Sequence, residues 1–134
     1  MIIRQHRIYR IDLQMNQHLL YIFGDNEAET GLGGQAKEMR GEDNAVGVRT
    51  KRYPTNDKDA FWTDETYDNN VQMIREDFQK LIDRYLTNES YCGIVVPADG
   101  LGTGYAELAT RAPKTMQYLN CCLARLHEVG RNIK

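Results

Sequence analysis

Two glycine-rich loops carry residue types suited to binding a phosphate or diphosphate. The first, FGDNEAETGLGGQA at residues 23–36, follows an apolar run and leads into a segment that is compatible with a helix. The second, PADGLGTGYAEL at residues 97–108, follows another apolar run. Glycines permit positive φ and leave backbone N–H groups open to an anion, and the first turn of a following helix offers more such groups. Since both loops follow buried strands, we expect them at the carboxyl edge of one sheet, where α/β proteins bind ligands.

A diphosphate held by these loops would leave Asp25, Asn26 and Asp99 to bond sugar hydroxyls or a base. The alternative is that the glycines serve only tight turns that the Asx side chains cap. Neither loop has the P-loop pattern and the first is not GxGxxG, which argues against a P-loop kinase or a simple dinucleotide dehydrogenase. The predicted ligand-binding residues are Gly24, Asp25, Asn26, Gly31, Gly33, Gly34, Gln35, Arg52, Asp99, Gly100, Leu101, Gly102, Thr103, Gly104 and Tyr105.

Three charged residues near the loops could act on a bound ligand. Lys51 and Arg52 follow a short strand, so they can face the same crevice and neutralise phosphate charge, and a lysine between apolar walls can become a nucleophile. They could equally be a solvated pair that begins a loop. Glu107 is the best-placed carboxylate for acid–base work, and its alternative role is to complement a helix N-terminus.

The bulk composition predicts one ordered domain over residues 1–134. The chain is 41% hydrophobic and 27% charged, with a net charge of −2. These proportions are typical of a folded domain and give no bulk electrostatic reason to expect nucleic-acid binding. No apolar run is long enough for a membrane span, and the N-terminus lacks the apolar core of a secretion signal. We therefore expect a cytoplasmic protein without a membrane partner.

The cysteines and histidines indicate neither a metal site nor a redox site, and no cofactor is expected. Cys92 lies in an apolar run, whereas Cys121 and Cys122 lie in a helical pattern without a CxxC pair. Buried free thiols are the expectation. The histidines are scattered outside the two loops, at His6, His18 and His127.

Hydrophobic patterning predicts strands that alternate with helices. Residues from Ile2 to Leu13 alternate in character, which favours one strand or a strand pair. The run YCGIVV at residues 91–96 predicts a central parallel strand. The other predicted elements are strands over Leu19–Phe23 and Asn44–Thr50 and helices over Gln35–Arg40, from Asp64 or Thr66 to Leu86, and over Ala112–Val129. This alternation predicts an α/β fold with helices on both faces of a parallel or mixed sheet.

The segment from Thr55 to Asp64 is polar but contains the adjacent aromatics Phe61 and Trp62. The preceding Pro54 and the Asn and Asp content predict an ordered loop. Exposure of both rings to water would forgo the favourable free energy of burying them. We therefore expect them to cover either the core or a ligand, and the core is favoured.

In this order the motifs resemble a small macro domain, the ADP-ribose-binding fold. FGDN followed by GGQA resembles the first ligand loop of that family. VRTKRY at residues 48–53 is similar to the lysine-bearing strand end of one branch, which contains the terminal ADP-ribose protein glycohydrolase and the DNA-ADP-ribose-reversing antitoxins. Thr66-Tyr67 and residues 97–108 resemble the start of that branch's long helix and its second loop.

The resemblance implies a three-layer α/β/α domain of macro type with a mixed, largely parallel sheet. It also implies a lysine that attacks the anomeric carbon of the distal ribose, with assistance from an acidic residue, here Glu107 where the branch has aspartate. The residues that it implicates are Asp25, Asn26, Gly33 and Gly34 for the ribose and adenosine side, Gly100 to Gly104 for the diphosphate and distal ribose, and Lys51 with Glu107 for catalysis.

The expected function is binding of ADP-ribose or a related NAD-derived nucleotide. The protein could also hydrolyse an ADP-ribosyl linkage on protein or DNA, and its partner would then be an ADP-ribosylated macromolecule. One alternative is a non-catalytic binder that sequesters a small NAD-derived signal, with Lys51 serving only as a cation. A second is a protein-interaction module without a small ligand, in which Phe61 and Trp62 form an exposed anchor.

Overall fold

The computed structural model describes residues 1–130 and places a four-stranded sheet between two layers of helices. The strands are β1 (Ile2–Gln5), β2 (Leu19–Asn26), β3 (Ala45–Lys51) and β4 (Gly93–Pro97). The helices are α1 (Arg10–Met15), α2 (Ala36–Met39), α3 (Tyr67–Thr87), α4 (Leu108–Arg111) and α5 (Pro113–Gly130), and 3-10 turns occupy Lys58–Ala60 and Asp64–Thr66. The predicted α/β class is confirmed.

The strands are arranged in the order β1-β4-β2-β3, and every pairing among the described residues is parallel. The expectation of a mixed sheet is therefore corrected for this part of the chain. Parallel strands need a crossover between them, and each connection here contains at least one helix. All four carboxyl ends consequently lie at one edge of the sheet.

Alternation along the strands divides the core between the two faces of the sheet. Leu20 and Ile22 pack with the α3 and α5 side, whereas Tyr21 and Phe23 pack with the α1 and α2 side. A strand that is apolar at consecutive positions is typical of a parallel sheet covered on both faces. Both core clusters therefore fix β2, which carries the first glycine loop.

The prediction of a strand or strand pair from Ile2 to Leu13 is wrong beyond β1. Arg7 has φ +48°, which strands do not adopt, and α1 follows. The carboxylate of Asp12 accepts the N–H of Tyr9 at 2.8 Å, which satisfies a donor at the helix start, and Leu13 is fully buried. The alternation in the sequence is too weak a signal to outweigh this capping and burial.

β2 ends at Asn26 rather than at the predicted Phe23, β3 ends one residue later than predicted, at Lys51, and the pair contains a bulge at the carboxyl ends. Asp25 pairs with Arg49, but Asn26 pairs with Lys51, so Thr50 is an extra residue in β3. The Thr50 hydroxyl donates to the carbonyl of Asp25 at 3.1 Å. Bulges of this kind re-aim side chains and are common beside functional sites.

The sequence offered Asp64 or Thr66 as the start of α3, and Asp64 does not cap this helix. Its carboxylate instead accepts the N–H of Lys114 at 3.1 Å, in the first turn of α5. The pattern identified a capping residue but not the helix that it serves.

No helix in residues 1–130 has the length and apolar character that crossing a bilayer requires.

The cysteines are free, but their predicted burial is wrong for two of the three. Cys92 and Cys121 are exposed and Cys122 is half-buried. Cys92 precedes β4 rather than lying inside it, which explains its exposure despite the apolar run. Burial raises the pKa of the Cys122 thiol, which disfavours its reactive thiolate form.

Candidate functional site

A cleft of about 740 Å³ lies at the carboxyl ends of β2, β3 and β4. Its two walls are the first loop with the strand end and helix start that flank it, residues 24–36, and the second loop, residues 98–107. This position is where open parallel sheets bind ligands, and the volume is within the range of small-molecule sites.

Most of the predicted site residues line this one cleft. They are Gly24, Asp25, Asn26, Gly31, Gly33, Gly34, Gln35, Lys51, Asp99, Gly102, Thr103, Gly104, Tyr105 and Glu107. Three predicted residues do not line it: Arg52, Gly100 and Leu101. Arg52 is exposed and lies over the ring of Tyr53, and Leu101 is fully buried in the core. Gly100 shapes the second loop with φ +87°.

The glycine at position 102 is required by close packing as well as by its backbone. It has φ +74°, and a Cβ there would lie 2.4 Å from a methyl carbon of Leu108. Side chains other than glycine are strained at such φ values, and the clash adds to the strain. The backbone of the second loop at Gly102 therefore packs directly against the side chain of Leu108, the first residue of α4.

Gln35 joins the two loops through its side-chain amide. Its side-chain oxygen accepts the N–H of Gly24 at 2.7 Å, and its amide nitrogen donates to the carbonyl of Gly100 at 3.1 Å. These bonds use one of the two N–H donors and one of the two acceptor sites of the amide. This residue fixes the separation of the two walls. α2 is a single turn of four residues, so it offers little helix dipole to the cleft.

Arg40 clamps the first loop, a role that the sequence did not reveal. Its guanidinium donates to both carboxylate oxygens of Asp25, to the carbonyl of Gly31 at 2.8 Å and to that of Thr30 at 3.1 Å. Asp25 also accepts the N–H of Asn26. The Asp25 carboxylate is therefore bonded to groups within the first loop and to Arg40. The position of Asp25 at the end of a predicted buried strand could have indicated an arginine or lysine nearby, because a buried carboxylate needs a cation.

Asn26 lines the cleft, but its side-chain oxygen is buried within the wall. Its amide nitrogen donates to the carbonyl of Thr30 at 2.7 Å, which fixes the orientation of the amide. Its side-chain oxygen is buried and has no hydrogen-bond partner among the described residues. An unpaired buried acceptor costs free energy, so a donor from a ligand or water would stabilise this wall.

Lys51 lies in β3 and is almost fully buried, with 6% of its surface exposed. Its ammonium donates to the carbonyl of Tyr105 at 3.2 Å and lies 4.4 Å from the centre of the Phe61 ring. Burial lowers the pKa of Lys51, the nearby Arg111 lowers it further, and Glu107 opposes both. A lysine in this state is suited to nucleophilic chemistry because more of it is neutral at a given pH.

Glu107 is held in the left-handed region, with φ +49°, at the start of α4. Its carboxylate lies 3.7 Å from Arg111 and is about half exposed. Within residues 1–130 it forms no ion pair with Lys51 at 4.0 Å or less. A non-glycine residue in this conformation stores strain, and such strain often lies at functional sites.

The segment from Thr55 to Asp64 forms one side of the Lys51 environment. Phe61 and Trp62 are both buried, so the prediction that they cover the core is confirmed for Trp62, which belongs to the main core cluster. The indole N–H of Trp62 donates to the carboxylate of Glu27 at 2.8 Å. The idea of an exposed aromatic anchor is therefore wrong.

Comparisons with known proteins give one family and no individual relative. Neither the curated proteins nor the solved structures include a match to this chain. Residues 3–121 match a family of unknown function, DUF7831, and this range contains both walls of the cleft together with Lys51 and Glu107. The chain belongs to this family of unknown function, DUF7831.

Proposed function

We propose that the cleft binds ADP-ribose or a related NAD-derived nucleotide. The observation that carries this proposal is the enclosure of one cleft of about 740 Å³ by two glycine loops at the carboxyl ends of β2 and β4. Bare backbone on both walls suits a diphosphate, which is bound largely by N–H groups. The resemblance of the same loops to those of macro domains points to the same ligand class.

The polar groups of the cleft also favour this ligand class. Arg40 and Lys51 are the only arginine and lysine among the described residues that line the cleft, and Arg40 is occupied by Asp25. Lys51 is therefore the cation left to face an anionic ligand.

A second candidate function, hydrolysis of an ADP-ribosyl linkage on protein or DNA, is favoured by the environment of Lys51. Its lowered pKa increases the neutral fraction that can attack. The amine would form a bond to the anomeric carbon of the distal ribose while the bond to the macromolecule breaks, and its proton would pass to the departing group. Water would then attack the same carbon, release ADP-ribose and restore the amine.

Calorimetric titration with ADP-ribose tests the binding proposal. We expect saturable heat from the native protein and at least about tenfold weaker binding for Gly33→Val, which corresponds to about 1.4 kcal/mol. A Cβ at Gly33 would meet only ordinary contacts with Tyr105, at 3.7 Å, so the fold should tolerate the change. Arg52→Gln is the matched control, since Arg52 lies outside the cleft and its replacement should leave binding unchanged. Absence of heat from the folded native protein would refute the proposal.

Incubation with an ADP-ribosylated protein and an ADP-ribosylated DNA oligonucleotide separates hydrolysis from sequestration. Release of free ADP-ribose that is lost in Lys51→Ala supports the hydrolase. Tight binding of ADP-ribose without release from either substrate favours the non-catalytic binder.

A further inference from the structure

The ring of Phe61 is shared by two cations. The ammonium of Lys51 lies 4.4 Å from the ring centre, and the guanidinium carbon of Arg111 lies 3.7 Å from the same point. The separation of the two cations therefore cannot exceed the sum of these distances. An aromatic face attracts cations, but it does not remove their mutual repulsion at this range.

Glu107 supplies the carboxylate that acts on the pKa of Lys51, and it pairs with only one of these two cations. It lies 3.7 Å from the Arg111 guanidinium, one helical turn along the chain, and it makes no comparable pair with Lys51 within the described part of the chain. The backbone N–H of Arg111 also donates to the carbonyl of Glu107 at 3.0 Å. Arg111 thus holds Glu107 by its main chain and by its side chain.

The other groups around Lys51 supply no competing charge. On the second loop, Tyr105 contributes a neutral carbonyl. On the β2 side, the strand partner is the neutral Asn26, and Glu27, whose carboxylate accepts the indole N–H of Trp62, is not among the groups that shift the pKa of Lys51. The charged groups that act on Lys51 are therefore Glu107, which favours its protonated form, and Arg111, which disfavours it.

We propose that Arg111 is a positioning residue that holds the Glu107 carboxylate away from Lys51 and so leaves the Lys51 amine free for nucleophilic attack. Without Arg111, the Glu107 carboxylate can turn to Lys51 and keep it as an ammonium ion. The consequence for activity rests on the hydrolase candidate, whereas the effect on protonation does not depend on any ligand. Arg111 itself does not line the cleft.

Lysine side-chain NMR measures this effect directly. The chain has six lysines, and the Lys51 signal can be assigned by its loss in Lys51→Arg. We expect the midpoint of the Lys51 titration to rise by roughly one unit in Arg111→Gln, since both a repulsive cation is lost and a carboxylate is released. Arg125→Gln, an exposed arginine on α5, is the matched control and should leave the midpoint unchanged.

A double-mutant comparison isolates the part played by Glu107. Adding Glu107→Gln to Arg111→Gln should reverse most of the rise, whereas Glu107→Gln alone should change the midpoint by less than it does in the Arg111→Gln background. A rise that survives the second change would overturn the proposal, as would an unchanged midpoint in folded Arg111→Gln. Arg111→Lys is a second variant: it keeps the cation, and so the Lys51 midpoint should stay at its native value.

These outcomes are separate from those of the proposed function. Failure of ADP-ribose to bind would refute the nucleotide proposal while the Lys51 titration still tests Arg111. Where hydrolysis is observed, Arg111→Gln should move the rising limb of the pH–rate profile to higher pH. A lower rate with the same profile would indicate only a structural role and would contradict the inference.

Discussion

Replacing Arg40 with methionine should destabilise the protein strongly, because the Asp25 carboxylate would lose its counter-ion. The side chain of Asp25 is 6% exposed and that of Arg40 is 21% exposed, so the pair is largely removed from water. Breaking such a pair on one side costs about 3–5 kcal/mol when burial is complete. The remaining exposure of Arg40 reduces this, and we expect a loss of about 3 kcal/mol.

Urea unfolding followed by circular dichroism measures this loss. With a denaturant dependence of about 2 kcal/mol per molar, the midpoint should fall by about 1.5 M. Arg52→Met is the matched control: this exposed arginine lies outside the cleft, and its replacement should change stability by no more than about 0.5 kcal/mol.

A second change shows whether the uncompensated charge is the cause. Asp25→Asn in the Arg40→Met background removes the charge but keeps an oxygen for the N–H of Asn26, so it should restore about 1–2 kcal/mol. If Arg40→Met were no more destabilising than Arg52→Met, or if the added Asp25→Asn restored nothing, the clamp would not be a source of stability. Asp25 would then be available to a ligand after all.

Two further predictions concern the second loop and Lys51. Gly102→Ala should cost at least about 2 kcal/mol, because it combines positive φ with the contact to Leu108, whereas Gly104→Ala, which meets nothing within 4 Å, should be nearly neutral in thermal unfolding; similar losses at both positions would contradict the packing argument. Burial lowers the pKa of Lys51 in the folded state, so the penalty for carrying its charge is present at neutral pH and fades as the pH rises to the ordinary lysine value of 10.5. Lys51→Met should therefore be more stable than the native protein at pH 7, with a gain in urea midpoint that shrinks toward pH 10; a gain independent of pH would show that the charge is not its origin.

The sequence was informative where the signal was local. Glycine loops after apolar strands predicted the position of the cleft, because the carboxyl ends of parallel strands share an edge. The three-and-four spacing of Val71, Ile74 and Phe78 predicted α3, whose buried stripe includes Ile74. The loops and α3 lie close to their predicted boundaries.

The sequence pattern did not reveal which polar side chains of the site are paired with another residue of the fold. Asp25 and Glu107 have the composition of ligand and acid–base groups, but each has an arginine partner: Arg40 for the first and Arg111 for the second. Neither arginine stood out, since arginines near helix ends are commonplace. Gln35 likewise appeared to be a ligand contact, yet it bonds Gly24 and Gly100, which are far apart in the sequence.

The extra residue in β3 makes the direction of the lysine depend on strand pairing as well as on residue type. Opposite Asn26, an unbroken ladder would present Thr50, and Lys51 would then point to the other side of the sheet. A relative that keeps both residues but pairs these two strands without the bulge would therefore carry its lysine on the other face, however well the surrounding motif aligned. The pairing register at the ends of the two strands is thus a better criterion for a shared chemistry than the presence of the lysine.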